Sequence, residues 1–144
     1  MNGRRNKALG YTYEVATRDY LSPAFPKVKR NGSMYGANDR GDLGGVPGWT
    51  LQCKNTQQDR WLEWFTKTEQ QAANNKTRWW AVIRKMRGKA VELSLFVMTL
   101  EQGRELMAHL RELEKQIKKL KAQVKELEHD HSGEAAPPRV RPSA

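Results

Sequence analysis

The spacing of hydrophobic residues along this chain of 144 residues predicts helices and strands in alternation. Between residues 6 and 21, the apolar positions Leu9, Tyr13, Ala16 and Tyr20 recur with the period of one helix face. Ser22-Pro23 ends this predicted helix, because the residue before a proline is disfavoured in helical geometry.

A second helix is predicted to begin near Thr56, where Thr56 and Asp59 have the spacing of a capping box. Its apolar face follows helical spacing and contains Trp61, Trp64, Phe65, Thr68 and Ala72. Such a stripe is typical of a helix that packs on a sheet, and this interpretation is favoured over a platform for stacking bases.

Strands are predicted at residues 26–30, at Trp49–Lys54, at 78–85 and at 90–98, each next to a turn signal such as Asn31-Gly32 or Arg87-Gly88-Lys89. Helical and extended segments interleave along the chain, which indicates an α/β fold with a central mixed sheet flanked by helices.

A different pattern follows Thr99, which with Gln102 resembles a capping box at a helix start. Apolar residues then repeat in heptads, with Leu110, Ile117 and Val124 at a and Leu106, Leu113, Leu120 and Leu127 at d. β-Branched residues at a with leucine at d favour a two-stranded coiled coil, so we expect a homodimer. The alternative is a single amphipathic helix folded back on its own domain. The expected organisation is a domain over residues 1–100, a coiled-coil helix over 101–130 and a disordered tail over 131–144.

The net charge of +10 is concentrated in the first of these segments. Residues 1–100 contain 17 lysines and arginines against 8 aspartates and glutamates, a net charge of +9. A surface that contacts phosphates has this property, although general solubility also produces it. Residues 84–89 form a predicted hairpin that is rich in basic side chains. These side chains are equally compatible with contact to DNA and with simple solvation. The expected DNA-contacting side chains are Arg4, Arg5, Lys7, Lys27, Lys29, Arg30 and Arg40.

Candidate chemistry lies around the strand Trp49–Lys54. Alternation puts Gln52 and Lys54 on one face, and a turn rich in Gly and Pro brings Asp42 beside them. Oxygen ligands for Mg²⁺ next to a fixed lysine are what phosphodiester hydrolysis needs. Lys54 could also be an ordinary solvated lysine, and Glu14 an exposed helix carboxylate paired with Arg18.

Asp42, Gln52 and Lys54 follow the spacing of the PD-(D/E)xK nuclease motif, which is an acidic residue, about ten residues, a second acidic residue, one residue and a lysine. The chain therefore resembles those nucleases. Within that superfamily the chain resembles the Holliday junction resolvases of actinobacterial phages, over roughly residues 4 to 100. The resemblance implies a restriction-endonuclease-like fold and a further acid on the first helix, for which Glu14 is the counterpart. It departs from the family pattern at Gln52, where an acid is usual, and a neutral amide there is expected to weaken metal binding.

The resemblance also implies roles for individual residues. Glu14, Asp42, Gln52 and the backbone carbonyl of Cys53 would hold Mg²⁺, or Mn²⁺ in its place, and Lys54 would complete the catalytic set. Polar residues near the end of the second helix, Glu69, Gln70 and Gln71, could border such a site. Apart from its carbonyl, Cys53 is expected to pack in the core.

Two functions agree with these observations. The first is a metal-dependent endodeoxyribonuclease that cleaves branched DNA as a dimer, most simply a Holliday junction resolvase. The alternative is a DNA-binding dimer of the same fold with weak or lost catalysis. A single cysteine, no secretory h-region and no apolar run long enough for a membrane span predict a cytoplasmic protein, in the host cytoplasm if a phage encodes it.

Overall fold

A computed structural model describes residues 2–133 and residue 138, with only the backbone described at Asn2. The elements in chain order are α1 (Asn2–Leu21), β1 (Lys29–Arg30), β2 (Leu43–Gly44), β3 (Trp49–Lys54), α2 (Trp61–Asn75), β4 (Trp79–Arg84), β5 (Leu95–Val97) and α3 (Leu100–Gly133). The chain divides into two compact units, Met1–Gln102 and Gly103–Ala144.

The first unit contains a five-stranded mixed sheet in the order β1-β2-β3-β4-β5. Strands β3 and β4 are parallel and are joined through α2, whereas the other neighbouring pairs are antiparallel. A parallel pair needs a crossover connection, which explains why a helix lies between these two strands. The α/β class and the mixed sheet flanked by helices are therefore confirmed.

Each face of the sheet is covered by a different helix. On one face Tyr13 of α1 packs in a buried cluster with Leu43, Leu51, Cys53 and Ile83. The predicted burial of Cys53 is confirmed. On the other face α2 buries its side chains Trp64, Thr68, Gln71 and Ala72. The side chains of Thr50, Gln52 and Lys54 face α2, because Leu51 and Cys53, which alternate with them along β3, belong to the buried cluster that contains Tyr13 of α1.

Several predicted boundaries were wrong. Helix α2 begins at Trp61, and its N-cap residue Arg60 makes no side-chain capping hydrogen bond. The capping box does not form: the Thr56 hydroxyl donates to the Gln58 carbonyl at 2.9 Å. The Asp59 carboxylate and the Thr56 carbonyl each accept a 2.7 Å hydrogen bond from the guanidinium of Arg84.

The strands are also shorter than predicted. Only Lys29–Arg30 is extended within 26–30, and within 90–98 a 3₁₀ turn occupies Val91–Leu93 before β5 begins. The residue that ends this turn, Ser94, accepts a 2.7 Å hydrogen bond from the hydroxyl of Tyr13, which ties it to α1. On α1 the buried residues are Tyr13 and Thr17, whereas Leu9 and Tyr20 are exposed, so the predicted apolar face was only partly right.

The start of α3 confirms one half of the expected capping box. The Gln102 N–H donates to the Thr99 hydroxyl at 3.2 Å, whereas the Gln102 side chain accepts a hydrogen bond from the Trp80 N–H. The helix continues to Gly133, three residues beyond the predicted end, and most of the predicted disordered tail lies outside the described residues. Within the part of the chain that the structure describes, no helix is long and apolar enough to cross a membrane.

Candidate active site at the β2–β3 strand pair

The antiparallel pairing of β2 with β3 brings Asp42 next to Gln52 and Lys54. Leu43 is opposite Leu51, and Asp42 immediately precedes Leu43 at the start of β2. Asp42 also accepts a 2.7 Å hydrogen bond at Oδ2 from the Cys53 N–H, and its own N–H donates to the Leu51 carbonyl at 2.9 Å.

Glycine at position 41 is required for this arrangement. Gly41 has a φ of +86°, and a Cβ atom there would lie 2.8 Å from the Leu51 carbonyl oxygen. The left-handed conformation and the close approach both exclude a larger residue. Gly41 therefore lets the chain enter β2 with Asp42 against β3.

The electrostatics of Asp42 are set by burial. Burial raises the pKa of Asp42 to about 6, the hydrogen bond from Cys53 opposes this rise, and the negative charge of Glu14 adds to it. The charge of Lys54 opposes the rise as well, so the lysine and the carboxylate interact. A cation that binds beside a buried carboxylate stabilises the ionised form of that carboxylate.

Lys54 is half-buried and does not behave as a solvated strand lysine. Burial lowers the pKa of Lys54, while the negative charge of Asp42 opposes that change. Its ammonium lies 5.8 Å from the centre of the Trp64 ring on α2. Trp64 is buried, which supports the core interpretation of the α2 stripe at this position.

Gln52 is buried between the sheet and α2 and is only 5% exposed. Its Oε1 atom makes no hydrogen bond with any described residue. Leaving a buried amide oxygen without a hydrogen bond costs about 1–3 kcal/mol. A ligand that accepts a lone pair from this oxygen, such as a cation, would remove that cost. An oxygen donor of this kind suits Mg²⁺.

Glu14 has a partner that the sequence did not reveal. Both Nε and a terminal nitrogen of Arg30 contact Oε2 of Glu14 at 2.8 Å, and Arg30 stacks 4.3 Å from the centre of the Tyr11 ring. Arg18 pairs with Asp19 instead, so the expected alternative of a Glu14–Arg18 pair was wrong. The same carboxylate oxygen of Glu14 therefore accepts both contacts from Arg30.

The oxygen atoms present agree with Mg²⁺ in type, but they do not form a cage of acids. Among the residues that the structure describes, no group of three or more His, Cys, Asp or Glu side chains could hold a metal. Gln52 is a neutral residue, and Glu14 is paired with Arg30. The site consists of carboxylates supplemented by amide oxygens.

The predicted DNA-contacting residues separate into two sets. Five are exposed: Arg4, Arg5, Lys7, Lys27 and Lys29. Arg30 pairs with Glu14, and half-buried Arg40 stacks 4.5 Å from the centre of the Tyr35 ring. In the basic hairpin, Arg84 pairs with Asp59, which removes it from the residues available for phosphate contact.

One residue near this site was missed from the sequence. Asp39 interacts electrostatically with Asp42 and accepts a 2.7 Å hydrogen bond from the amide of Gln71. Its place three residues before Asp42 could have pointed to it, but its contact with α2 depends on the tertiary fold.

In comparisons with known proteins, no family model matches this chain, and neither a curated protein nor a solved structure shows significant similarity to it.

The raised pKa of Asp42 gives a prediction on stability. Its folded pKa of about 6 exceeds the value of 3.8 for a free side chain, so the free energy of unfolding should fall as pH rises from about 4 to about 6. Asp42→Asn keeps an acceptor for Cys53 and removes the charge. We expect it to raise the free energy of unfolding near neutral pH by about 2–3 kcal/mol without divalent metal, and to change it little near pH 4.

Urea denaturation over this pH range, with EDTA present, measures the effect. Asp19→Asn, which removes an exposed carboxylate, is the matched control. Parallel pH profiles for the wild type and Asp42→Asn would show that the carboxylate is not destabilised by burial.

Proposed function

We propose that this protein is a metal-dependent endodeoxyribonuclease of the PD-(D/E)xK type that cleaves branched DNA as a homodimer, as a Holliday junction resolvase does. The proposed fold is restriction-endonuclease-like, which the mixed sheet with a helix on each face supports. The observation that supports the function most is that Asp42 and Lys54 are both partly buried and influence each other's ionisation, on the strand pair that also contains the unpaired buried oxygen of Gln52.

Each residue of the site has a chemical role in this proposal. Asp42, Gln52 and Glu14, with the Cys53 carbonyl, would hold Mg²⁺ or Mn²⁺, which supplies Lewis acidity and an activated water when bound. Lys54 is a positioned cation that stabilises charge developing on the phosphoryl oxygens. Asp42 is fixed by the Cys53 N–H, so its second oxygen has a defined direction.

The Glu14–Arg30 pair adds an element to this arrangement. Arg30 neutralises Glu14 in the absence of metal and DNA, and the pair is largely shielded from solvent. A phosphate entering beside Asp42 offers Arg30 a second anionic partner. Arg30 therefore belongs to the proposed DNA-contacting set through its position at the site, whereas the five exposed residues contribute affinity.

The second unit is proposed as the dimerisation element. Six of its seven heptad residues, Leu110 to Leu127, are between 39% and 61% exposed in the single chain. An apolar stripe of this length is unusual for a soluble monomer, and the a/d pattern fits a second copy of the same helix. The proposed location is the cytoplasm, or the host cytoplasm for a phage protein.

A second function, a DNA-binding dimer with weak or no catalysis, is favoured by two observations: Gln52 adds no charge, and Glu14 is already paired. Incubation of the purified protein with a four-way junction, a flap and linear duplex, in Mg²⁺ or Mn²⁺ and in EDTA, separates the two. Metal-dependent incision of branched DNA supports the nuclease. Binding without incision in either metal supports the alternative.

The basic surface predicts a steep dependence of DNA affinity on salt. Each neutralised phosphate contributes about −0.9 to the slope of log affinity against log salt, and five exposed cations predict a slope of roughly −4 or steeper. Fluorescence anisotropy in EDTA measures this without cleavage. Replacing Lys27 and Lys29 by Ala should reduce the slope by about 2, whereas replacing Lys115 and Lys118 on α3 should not. A flat response would contradict the proposed surface.

Gln52→Glu should strengthen the metal site, because a carboxylate replaces a buried amide on the strand that Asp42 contacts. We expect a severalfold lower metal concentration at half-maximal cleavage, together with a lower melting temperature in EDTA, since two buried carboxylates then repel. Metal titration of cleavage and thermal melting measure the two effects. A folded Gln52→Glu protein without activity would indicate that the amide N–H groups of Gln52 are required.

A further inference from the structure

The two edges of the sheet differ in composition. One edge is β1, which consists of Lys29 and Arg30, and the other is β5, Leu95–Val97, whose three residues are all apolar. An edge strand presents unpaired N–H and C=O groups, and soluble proteins often place charged residues there to prevent pairing with another chain. The β1 edge has this protection, whereas the β5 edge does not.

The apolar surface at β5 extends beyond the strand itself. No charged side chain occurs from Leu93 to Leu100. Four side chains in this stretch are between 42% and 84% exposed, namely Leu93, Leu95, Phe96 and Leu100. Phe96 packs part of its ring against Trp49, with the ring centres 5.4 Å apart, and half of Phe96 stays exposed. Neighbouring exposed apolar side chains of this kind mark a surface that another chain covers.

The two faces of β5 define what a partner strand must provide. In the antiparallel pairing with β4, Phe96 is opposite Ile83 and Leu95 is opposite Arg84. Leu95 and Phe96 are consecutive, so their side chains project to opposite faces of the sheet. A strand that pairs with this edge must therefore carry apolar side chains on both of its faces. A second copy of β5 does so, and two identical strands related by a two-fold axis are self-complementary.

The short connection from β5 to α3 favours a second copy over an unrelated partner. Strand β5 ends at Val97, and α3 begins at Leu100. The heptad pattern of α3 is one that favours two parallel helices, whose axes are about 10 Å apart. Three residues of chain reach at most roughly 10 Å. A parallel coiled coil would therefore hold the two β5 strands close together at a high effective concentration.

We propose that β5 pairs antiparallel with β5 of a second copy, so that the two five-stranded sheets become continuous. This inference rests on the homodimer of the proposed function. A strand of three residues buries too little surface to hold a dimer by itself. The coiled coil supplies the stability of the dimer, and the strand pairing fixes the orientation of one first unit against the other.

The strand pairing sets the separation of the two candidate sites. Antiparallel strands of one sheet are related by a two-fold axis perpendicular to the sheet, so Lys54 of both copies lies on the same side. Five strand intervals separate the two copies of β3, which corresponds to roughly 24 Å at about 4.8 Å for each interval. Two sites on one side at a fixed distance suit two incisions in one branched DNA.

Amide hydrogen exchange of the full chain, measured by mass spectrometry, tests the pairing. Alternate residues of an antiparallel strand direct their N–H groups to opposite sides, so some β5 amides face away from β4 and need a partner strand for protection. We expect the peptide with Leu95–Val97 to exchange about tenfold or more slowly in the wild type than in the Leu113→Lys, Leu120→Lys variant. Exchange in Trp79–Arg84 should be equal in both, which controls for general loosening.

Leu95→Glu places like charges on the two paired strands and leaves α3 unchanged. Leu95 is 42% exposed and lies opposite Arg84, so the fold should tolerate an acid there. This variant should remain dimeric by light scattering and lose the protection of β5. Leu62→Glu changes an exposed leucine on α2 in the same way and should keep the protection. Circular dichroism establishes folding, and the comparison with the α3 variant remains available if Leu95→Glu does not fold.

The outcomes separate the strand pairing from the proposed dimer. Equal β5 exchange in a dimeric wild type and in a monomeric α3 variant would overturn the pairing and leave the coiled-coil dimer intact. Full protection of β5 in a dimeric Leu95→Glu protein would overturn it as well. A wild type that is monomeric at every concentration would overturn both the dimer and the pairing.

Discussion

Asp42→Asn and Lys54→Ala should each slow cleavage of branched DNA by about 100-fold or more, because in the proposed mechanism each removes a group that acts on charge at the reacting phosphate. DNA affinity in EDTA should change only a fewfold, since the exposed cations proposed to contact phosphates are elsewhere. Asp42→Asn should also be more stable than the wild type near neutral pH. Lower activity with higher stability is the expected mark of a residue retained for function.

Single-turnover cleavage at saturating Mg²⁺ measures this effect, with anisotropy for binding. Lys67→Ala is the matched control for Lys54→Ala, because Lys67 is an exposed lysine on α2 close enough to influence Lys54. Asp19→Asn matches Asp42→Asn in charge. Cleavage at the wild-type rate by either site variant would show that the site is assigned to the wrong residues.

Leu113→Lys combined with Leu120→Lys should convert the proposed dimer into a monomer. Both residues are at d positions, and burying a leucine side chain contributes roughly 1.5–3 kcal/mol before the loss of conformational entropy. The two lysine charges that each helix then carries at its d positions replace that gain with repulsion between the two helices. Ala108→Lys combined with Ala122→Lys adds the same charge on the opposite side of the helix, and should remain dimeric.

Light scattering coupled to gel filtration gives the mass of each variant. Cutting of a four-way junction gives the functional consequence, because in the proposed dimer two tethered active sites raise the effective concentration for the second incision. The Leu113 and Leu120 double variant, or a chain ending at Gly103, should nick one strand and rarely complete the pair. A dimer with unchanged paired cutting after truncation at Gly103 would place the essential interface in the first unit.

Much of the fold followed from local pattern. The strand Trp49–Lys54 was predicted with its observed limits, because alternation over six residues defines both its faces. The helix α2 was predicted from its aromatic stripe, but not its start. The Thr56–Asp59 pair has the spacing of a cap, yet the guanidinium of Arg84, which is 28 residues after Thr56 and 25 after Asp59, binds both residues.

The candidate site was predictable only in part. The proximity of Asp42 to Lys54 required a glycine turn and one strand register, and both can be read from a continuous segment. The pairing of Glu14 with Arg30 joins a helix to an edge strand, and the contacts of Asp39 with Gln71 and Asn74 span more than 30 residues. No periodicity encodes such contacts.

The sequence by itself determined the element types, the heptad stripe and the location of the positive charge, because these depend on residues close together in the chain. Tertiary structure decided which polar atoms are buried without partners, which carboxylate is paired with arginine and which has a raised pKa. Those properties depend on the distance between elements and on the exclusion of water, and only the packing of α1 and α2 on the sheet sets both.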